Sequence, residues 1–312
     1  MINLQAKLTD PQQFVTLYGS TPPRAGSSDE QIALAAERLA ERVRGLPLDG
    51  LVVYDVQDES GRTEETRPFP YQPTIDPRIY ARQIQERTGA QAITYKSVGE
   101  LGEAGWLVWL REAHQDYGIG QLILVGSSVP VPPPGTLFVD RAMQLAREQM
   151  PTAMLGGVAI AERHSPAYDE SRRLLLKAAQ GSRFFISQVV YDPAPTLRLL
   201  ADYAEACRRE GVAPQRVILT FSPCGRPGTM TFLKWLGVAI APGVEQAIMG
   251  SATPFATSIQ ICRANLRAIR ERAAAQSIPL GVNIESVSTH RDELAASADL
   301  VQALYEELGV GG

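Results

Sequence analysis

Cysteine and histidine are both scarce in this 312-residue chain, with three of each. Cys207, Cys224 and Cys262 are odd in number, widely spaced and form no C-x-x-C pair. That excludes a disulfide framework or a cysteine zinc site, and it fits a reducing compartment. A histidine metal centre would need His164 beside Glu162 plus distant carboxylates. The E-x-H spacing is common by chance, so no metal is expected. Long apolar runs are also missing: none approaches the roughly 20 residues that cross a bilayer. The opening MINLQAKLTDPQQF lacks the basic-then-apolar order of a secretion signal, so the expectation is a cytoplasmic protein without membrane contact. The formal charge is only −4, with 30 Lys and Arg scattered among 34 Asp and Glu, which gives no reason to expect a nucleic-acid partner. Neither G-x-G-x-x-G nor G-x-x-x-x-G-K-[ST] occurs, and no G-x-S-x-G elbow is present. Ser187 and Cys224 have no base nearby in sequence to activate them.

What the chain does have is regular alternation. Short runs rich in Val, Ile, Leu and Phe fall at 14–19, 50–55, 91–95, 121–125, 153–160, 183–189, 216–221 and 280–285. They show little polar alternation, as expected of parallel strands buried on both faces. Amphipathic helical patterns separate them at 29–44, 76–87, 98–117, 139–148, 167–180, 194–210 and 228–236, and a longer one spans 243–276 with interruptions near 250–254. Ser28 and Asp29 are capping candidates at the start of the first. Gly89, Gly118, Gly181 and Gly211 stand where helices stop and turn back toward a strand. Eight strands with intervening helices point to an α/β fold, a single-domain (β/α)8 TIM barrel over residues 1–312; a doubly wound open sheet is the structural alternative. The proline-rich 129–135 reads as a stiff loop at the barrel mouth.

Barrel enzymes keep their chemistry at the C-terminal ends of the strands. That position selects Asp55, Lys96, Glu162, His164, Gln188, Tyr191, Asp192, Ser222 and Glu285. Asp192, just before a proline-containing helix start, reads as an N-cap. Glu285 ends the apolar LGVNIE, where a partly desolvated carboxyl gains a raised pKa and can serve as an acid. The turn at Gly126, Ser127 and Ser128 is able to offer backbone N–H groups to a phosphate.

Several segments resemble the methylenetetrahydrofolate reductase family. Thr21-Pro22-Pro23-Arg24 is similar to its strand-then-PPR segment, and Gly118-Ile119 before LILV to its fourth strand. Ala161-Glu162-Arg163-His164 resembles the loop after its fifth strand. The longest piece, GSRFFISQVVYD at 181–192, resembles the family's G-A-x-F-x-[IT]-[ST]-Q-x-x-[FY]-D signature. Family members are FAD-containing (β/α)8 barrels that pass a hydride from NADH or NADPH, through the flavin, to 5,10-methylenetetrahydrofolate. The resemblance implies that Gln188 grips the pterin, that Lys177 and Glu170 hold the ribityl and phosphate groups of FAD, and that His164 touches the flavin. Position at the mouth adds Tyr191 as a substrate contact and Glu162, Ser127 and Ser128 as cofactor contacts.

The chain also departs from that pattern. Gly19 stands where the family has its catalytic glutamate, and Ser127-Ser128 where it has an aspartate near the flavin. Thr94 falls near the family's third-strand histidine, Ile160 replaces a tyrosine, and the ending reads GVNIESVSTHR. These departures resemble a short, divergent actinobacterial branch that lacks the usual flavin residues. What that implies is direct hydride transfer from a nicotinamide cofactor to the folate. Glu285, or Asp55 across the barrel, would then supply the missing acid. Two other functions stay open: a pterin barrel serving methyl transfer, and a non-catalytic regulatory barrel. Gly228 to Leu236, with Trp235, and the helix from Gly243 could join two copies in a homo-oligomer, with packing against the barrel as the alternative.

Overall fold

The computed structural model describes residues 3–59, 64–127 and 131–309. Its eight strands are β1 (Val15–Ser20), β2 (Gly50–Val53), β3 (Ala92–Ser97), β4 (Gln121–Val125), β5 (Met154–Ala159), β6 (Phe184–Val189), β7 (Arg216–Phe221) and β8 (Leu280–Ile284). Neighbours in sequence pair in parallel, and β1 closes on β8 through Val15 opposite Gly281. The expected (β/α)8 barrel is therefore the fold, and the open sheet is excluded. Each expected strand is present within a few residues. Tyr54 and Asp55, expected inside β2, lie just beyond its end.

The helices are α1 (Leu4–Thr9), α2 (Asp29–Val43), α3 (Pro77–Thr88), α4 (Gly102–Gln115), α5 (Val139–Gln149), α6 (Glu170–Gln180) and α7 (Pro193–Glu210), followed by α8 (Pro227–Trp235), α9 (Pro242–Met249), α10 (Pro254–Ala275) and α11 (Arg291–Leu308). Ser28 and Gln31 form a reciprocal capping box on α2, and Asp192 caps α7 by accepting from the Ala194 N–H. Gly89 takes φ +69° to end α3, a backbone region that side chains with a Cβ avoid. The long pattern at 243–276 is split into α9 and α10 at Gly250–Pro254, as its interruptions foretold. Three helices lie between β7 and β8: α10 packs against its neighbours α7 and α11 in the outer ring, while α8 and α9 precede it at the mouth end.

Two apolar layers result from the strand alternation. Leu17, Val52, Ile93, Ile123, Met154, Phe184, Ile186 and Ile218 point into the barrel. The opposite faces meet the helices in a larger shell that includes Trp106, Leu122, Phe185 and Leu219. Phe184 fills the interior so tightly that a Cβ on Gly156 would fall 2.6 Å from its ring.

The lower end is closed by α1, whose Leu4 and Leu8 join the interior cluster. Arg216, 2% exposed at the start of β7, ties this plug down by donating to the carbonyls of Leu8, Asp10 and Leu280. Burial lowers its guanidinium to about 10; of the three carbonyls, that of Asp10 also accepts from the Gln13 N–H. Arg216→Met should keep the barrel but lose roughly 2–4 kcal/mol, because it strands buried acceptors. Urea unfolding measures this, and an unchanged midpoint would show that α1 does not depend on the arginine.

Candidate active site

Strand alternation sends Tyr54, Tyr95, Asn283 and Glu285 inward at the mouth. The Tyr54 and Tyr95 rings lie 5.0 Å apart and tilted by 58°. Asn283, fully buried on β8, donates through Nδ2 to the Tyr54 hydroxyl at 2.7 Å and reaches Thr220 Oγ1 at 3.4 Å. The Tyr54 hydroxyl also faces the Glu285 carboxyl, and each shifts the other's proton affinity. The Asn283 Oδ1 is buried and has no partner among the described residues.

Glu285 is partly accessible from the mouth but surrounded by protein. Desolvation lifts its carboxyl from 4.5 to about 7, while the facing Tyr54 hydroxyl opposes that rise. Both tyrosine hydroxyls are pushed well above 10, mainly by burial and then by the Glu285 charge. Near neutral pH this makes Glu285 an acid poised to give up or take a proton, with neutral phenols around it.

Gly19 completes the arrangement. A Cβ there would lie 2.7 Å from the Tyr54 hydroxyl and 2.8 Å from its Cε2. Tyr54 thus occupies the space that any side chain at position 19 would enter. Position 19 is a glycine because the tyrosine just past the neighbouring strand lies across it.

The other residues singled out in the sequence are dispersed. Asp55 points to the opposite face from Tyr54, where it accepts from the Ser97 N–H at 2.8 Å and pairs with Lys96 at 3.3 Å. Lys96 also approaches Asp76, which accepts from Trp109 Nε1. Gln188 lies at a break in register between Ile186 and Val189. Its Nε2 donates to the Leu236 carbonyl at 3.1 Å, just past α8, and its Oε1 accepts from Val189. Glu162 reaches the same connection, accepting from Ala239 N at 3.5 Å; its other oxygen is buried and unpartnered among the described residues, and burial raises its pKa. Tyr191 is 1% exposed and donates to the Ser222 carbonyl, which places it in the wall.

Lys177 donates to the Val158 carbonyl at 2.6 Å and lies 3.5 Å from Glu170, itself 2% exposed. Desolvation lowers the lysine's pKa, against the pull of that glutamate. His164 pairs with Asp202 of α7 at 2.8 Å. Lys177, Glu170 and His164, which the resemblance assigns to FAD, are thus paired with one another, with β5 and with α7. Ser127 packs against Gly99, where a Cβ would meet its own at 3.1 Å. Ser128 and the first two residues of the 129–135 loop lie outside the described residues. Among the described residues no three His, Cys, Asp or Glu side chains gather as a metal site, and no helix is long and apolar enough to cross a membrane. The three cysteines are free and buried.

Tyr54, Tyr95 and Asn283 escaped the sequence reading, although their signal was there. Counting back by two from Glu285 gives Asn283, and the inward partner of Val52 is Tyr54, not Asp55.

No known family model matches the chain, and no curated protein does. Among solved structures, an uncharacterized protein from Clostridium thermocellum is similar along its whole length. It is 29% identical, covers 98% of this chain and 99% of its own, and superposes with a TM-score of 0.82. That protein binds two copies of 5-methyl-5,6,7,8-tetrahydrofolic acid. A multifunctional pyruvate carboxylase from Rhizobium etli overlaps far more loosely, at 10% identity and TM-score 0.47, over 97% of this chain and 28% of that one.

Proposed function

We propose that this barrel binds a reduced folate at its mouth and acts as a methylenetetrahydrofolate reductase-like oxidoreductase. The observation that carries the reading is Glu285, a carboxyl titrating at about 7 beside Tyr54 and Asn283, in a chain whose full-length neighbour binds 5-methyltetrahydrofolate. The reaction needs one proton and one hydride. In 5,10-methylenetetrahydrofolate the methylene carbon bridges N5 and N10. A proton delivered to N10 lets the C–N10 bond break with its electron pair going to nitrogen, which leaves a cationic N5-iminium. Hydride from NADH or NADPH then adds to the methylene carbon, and N5 recovers its lone pair in the 5-methyl product. Glu285 is the proton donor, and Tyr54 holds its carboxyl in place. Since the residues matched to a flavin site are engaged elsewhere, the hydride passes directly between two rings stacked about 3–3.5 Å apart.

A 5-methylfolate is equally the donor in methyl transfer, so the neighbour's ligand also suits a folate barrel with changed chemistry. The hydride donor separates the two. Purified colourless protein should oxidise NADH or NADPH only when methylene-folate is present, with 5-methyltetrahydrofolate accumulating in equal amount. Tight 5-methyltetrahydrofolate binding without nicotinamide oxidation would favour methyl transfer or a regulatory role. Visible flavin absorbance in the purified protein would overturn the direct route.

A further inference from the structure

The loop after β2 does not stop at the rim of the mouth. Residues 64–71 reach across to α8: the Phe69 ring meets Phe232 edge-on at 5.2 Å, Phe232 stacks on Trp235 at 5.9 Å, and Trp235 Nε1 donates to the Glu65 carbonyl at 3.1 Å. In the closed barrel β1 and β8 stand between β2 and β7. This contact therefore arches over the sector that carries Gly19 and Glu285.

Arg67 lies within the arch. Its guanidinium carbon is 5.1 Å from the Trp235 ring centroid, 5.4 Å from that of Phe232 and 5.6 Å from that of Tyr71. No carboxylate among the described residues forms an ion pair with it, and its Nε is buried without a hydrogen-bond partner. Other half-buried cations near the mouth are matched: Lys96 has Asp55 and Asp76, and Arg78 has Asp76 and Glu112. Ring faces attract a cation, but they leave the fork of five N–H donors unused. A half-buried guanidinium without an anion is free to form a charge-assisted pair with an incoming carboxylate.

We infer that Arg67 receives the carboxylate tail of the folate, with the aromatic wall of Phe69, Phe232 and Trp235 flanking the flat aminobenzoyl linker. The inference rests on the folate reading above. With the pteridine down at Glu285, the rest of the ligand must leave through the rim that Arg67 overhangs. Arg67 then distinguishes a folate with its glutamate tail from a bare pterin, a selection that the interior residues cannot make.

Calorimetry with two ligands tests this: 5-methyltetrahydrofolate, and 5-methyltetrahydropterin lacking the aminobenzoyl-glutamate. Arg67→Met keeps the apolar stem and should weaken 5-methyltetrahydrofolate binding roughly tenfold to a hundredfold, the loss of one charge-assisted pair. Affinity for the bare pterin should stay within about twofold, which also certifies the fold of the variant. In the unaltered protein, raising ionic strength should weaken the tailed ligand and leave the bare pterin unaffected. Equal losses for both ligands, or none for either, would overturn the tail site while leaving folate binding intact. If the unaltered protein bound neither ligand, the folate reading itself would fall, and this inference with it.

Discussion

Glu285→Gln is expected to reduce turnover of methylene-folate about 10²–10³-fold while leaving 5-methyltetrahydrofolate binding nearly unchanged, because a positioned acid contributes on that scale to proton transfer. Glutamine keeps the shape and can still accept from Tyr54, but it has no proton to give N10. The pH profile gives an independent readout. In the unaltered protein, turnover should fall as pH rises through about 7, where Glu285 loses its proton; in the variant that limb should vanish. Stability provides a third readout, free of any assumption about substrate. The folded carboxyl holds its proton up to about 7, against 4.5 for the free group. The folded state therefore binds more protons than the unfolded one between those values, and stability falls as pH rises through the window. Each unit corresponds to about 1.4 kcal/mol, and partial access to water reduces the total to something on the order of 2–3 kcal/mol. Urea unfolding at pH 5 and pH 8 should show that decline in the unaltered protein and a flatter response in Glu285→Gln. Identical declines would mean that Glu285 is not the buried acid, and unchanged turnover would remove it from the chemistry.

The barrel was legible because its information is local and repeated. Each β-strand is a short apolar run, each helix carries an amphipathic period, and glycines such as Gly89 and Gly211 mark the returns. Two helices were missed, although α11 carries a clear helical period through Ala296, Leu300, Val301 and Leu304. The six residues of α1 are too few to show a period, and their role as a plug depends on Arg216, more than 200 positions away. Meanwhile α11 follows the last strand, where no further strand calls for a helix. The mouth was legible only at Glu285, which closes an apolar strand. What surrounds it comes from three other strands, and only barrel closure of β8 on β1 brings Glu285 to Gly19, Tyr54 and Tyr95. Asp55 attracted notice as the charged residue at the end of β2, yet the one-residue step from Tyr54 turns it toward Lys96 and the helices. Charge marks a candidate in sequence, but the pleat decides which face it serves. Gln188 shows the opposite difficulty: the break in register at β6 removes the alternation by which its direction could be read.

The largest structural effect at the mouth should come from the smallest change, Gly19→Ala. The added methyl carbon would sit 2.7 Å from the Tyr54 hydroxyl and 2.8 Å from Cε2, both closer than carbon contacts allow. Since β1 is locked between β2 and β8, the ring must move and the backbone stays. Tyr54 is also held by Asn283 and packed on Tyr95, so displacement costs about 1–3 kcal/mol of stability. Its consequence for chemistry follows from the hydroxyl that faces Glu285, which holds that carboxyl below the value burial alone would give. Once the hydroxyl leaves, desolvation acts unopposed and the Glu285 pKa rises further. The alkaline limb of the pH profile should shift upward in Gly19→Ala, with turnover at neutral pH down roughly tenfold because the acid is no longer oriented. Tyr54→Phe should move the limb the same way without the steric penalty, so the two variants together separate proton affinity from packing. If Tyr54→Phe shifts the limb and Gly19→Ala does not, the ring has accommodated the methyl in place. If neither shifts it, Tyr54 does not control Glu285. The same geometry predicts that Gly19→Glu cannot restore a family-like acid here: the new side chain would have to enter space that Tyr54 fills, and the existing donor would lose its support. Glycine at position 19, tyrosine at 54 and glutamate at 285 are thus one coupled arrangement, in which the space beside position 19 holds the ring that faces the carboxyl.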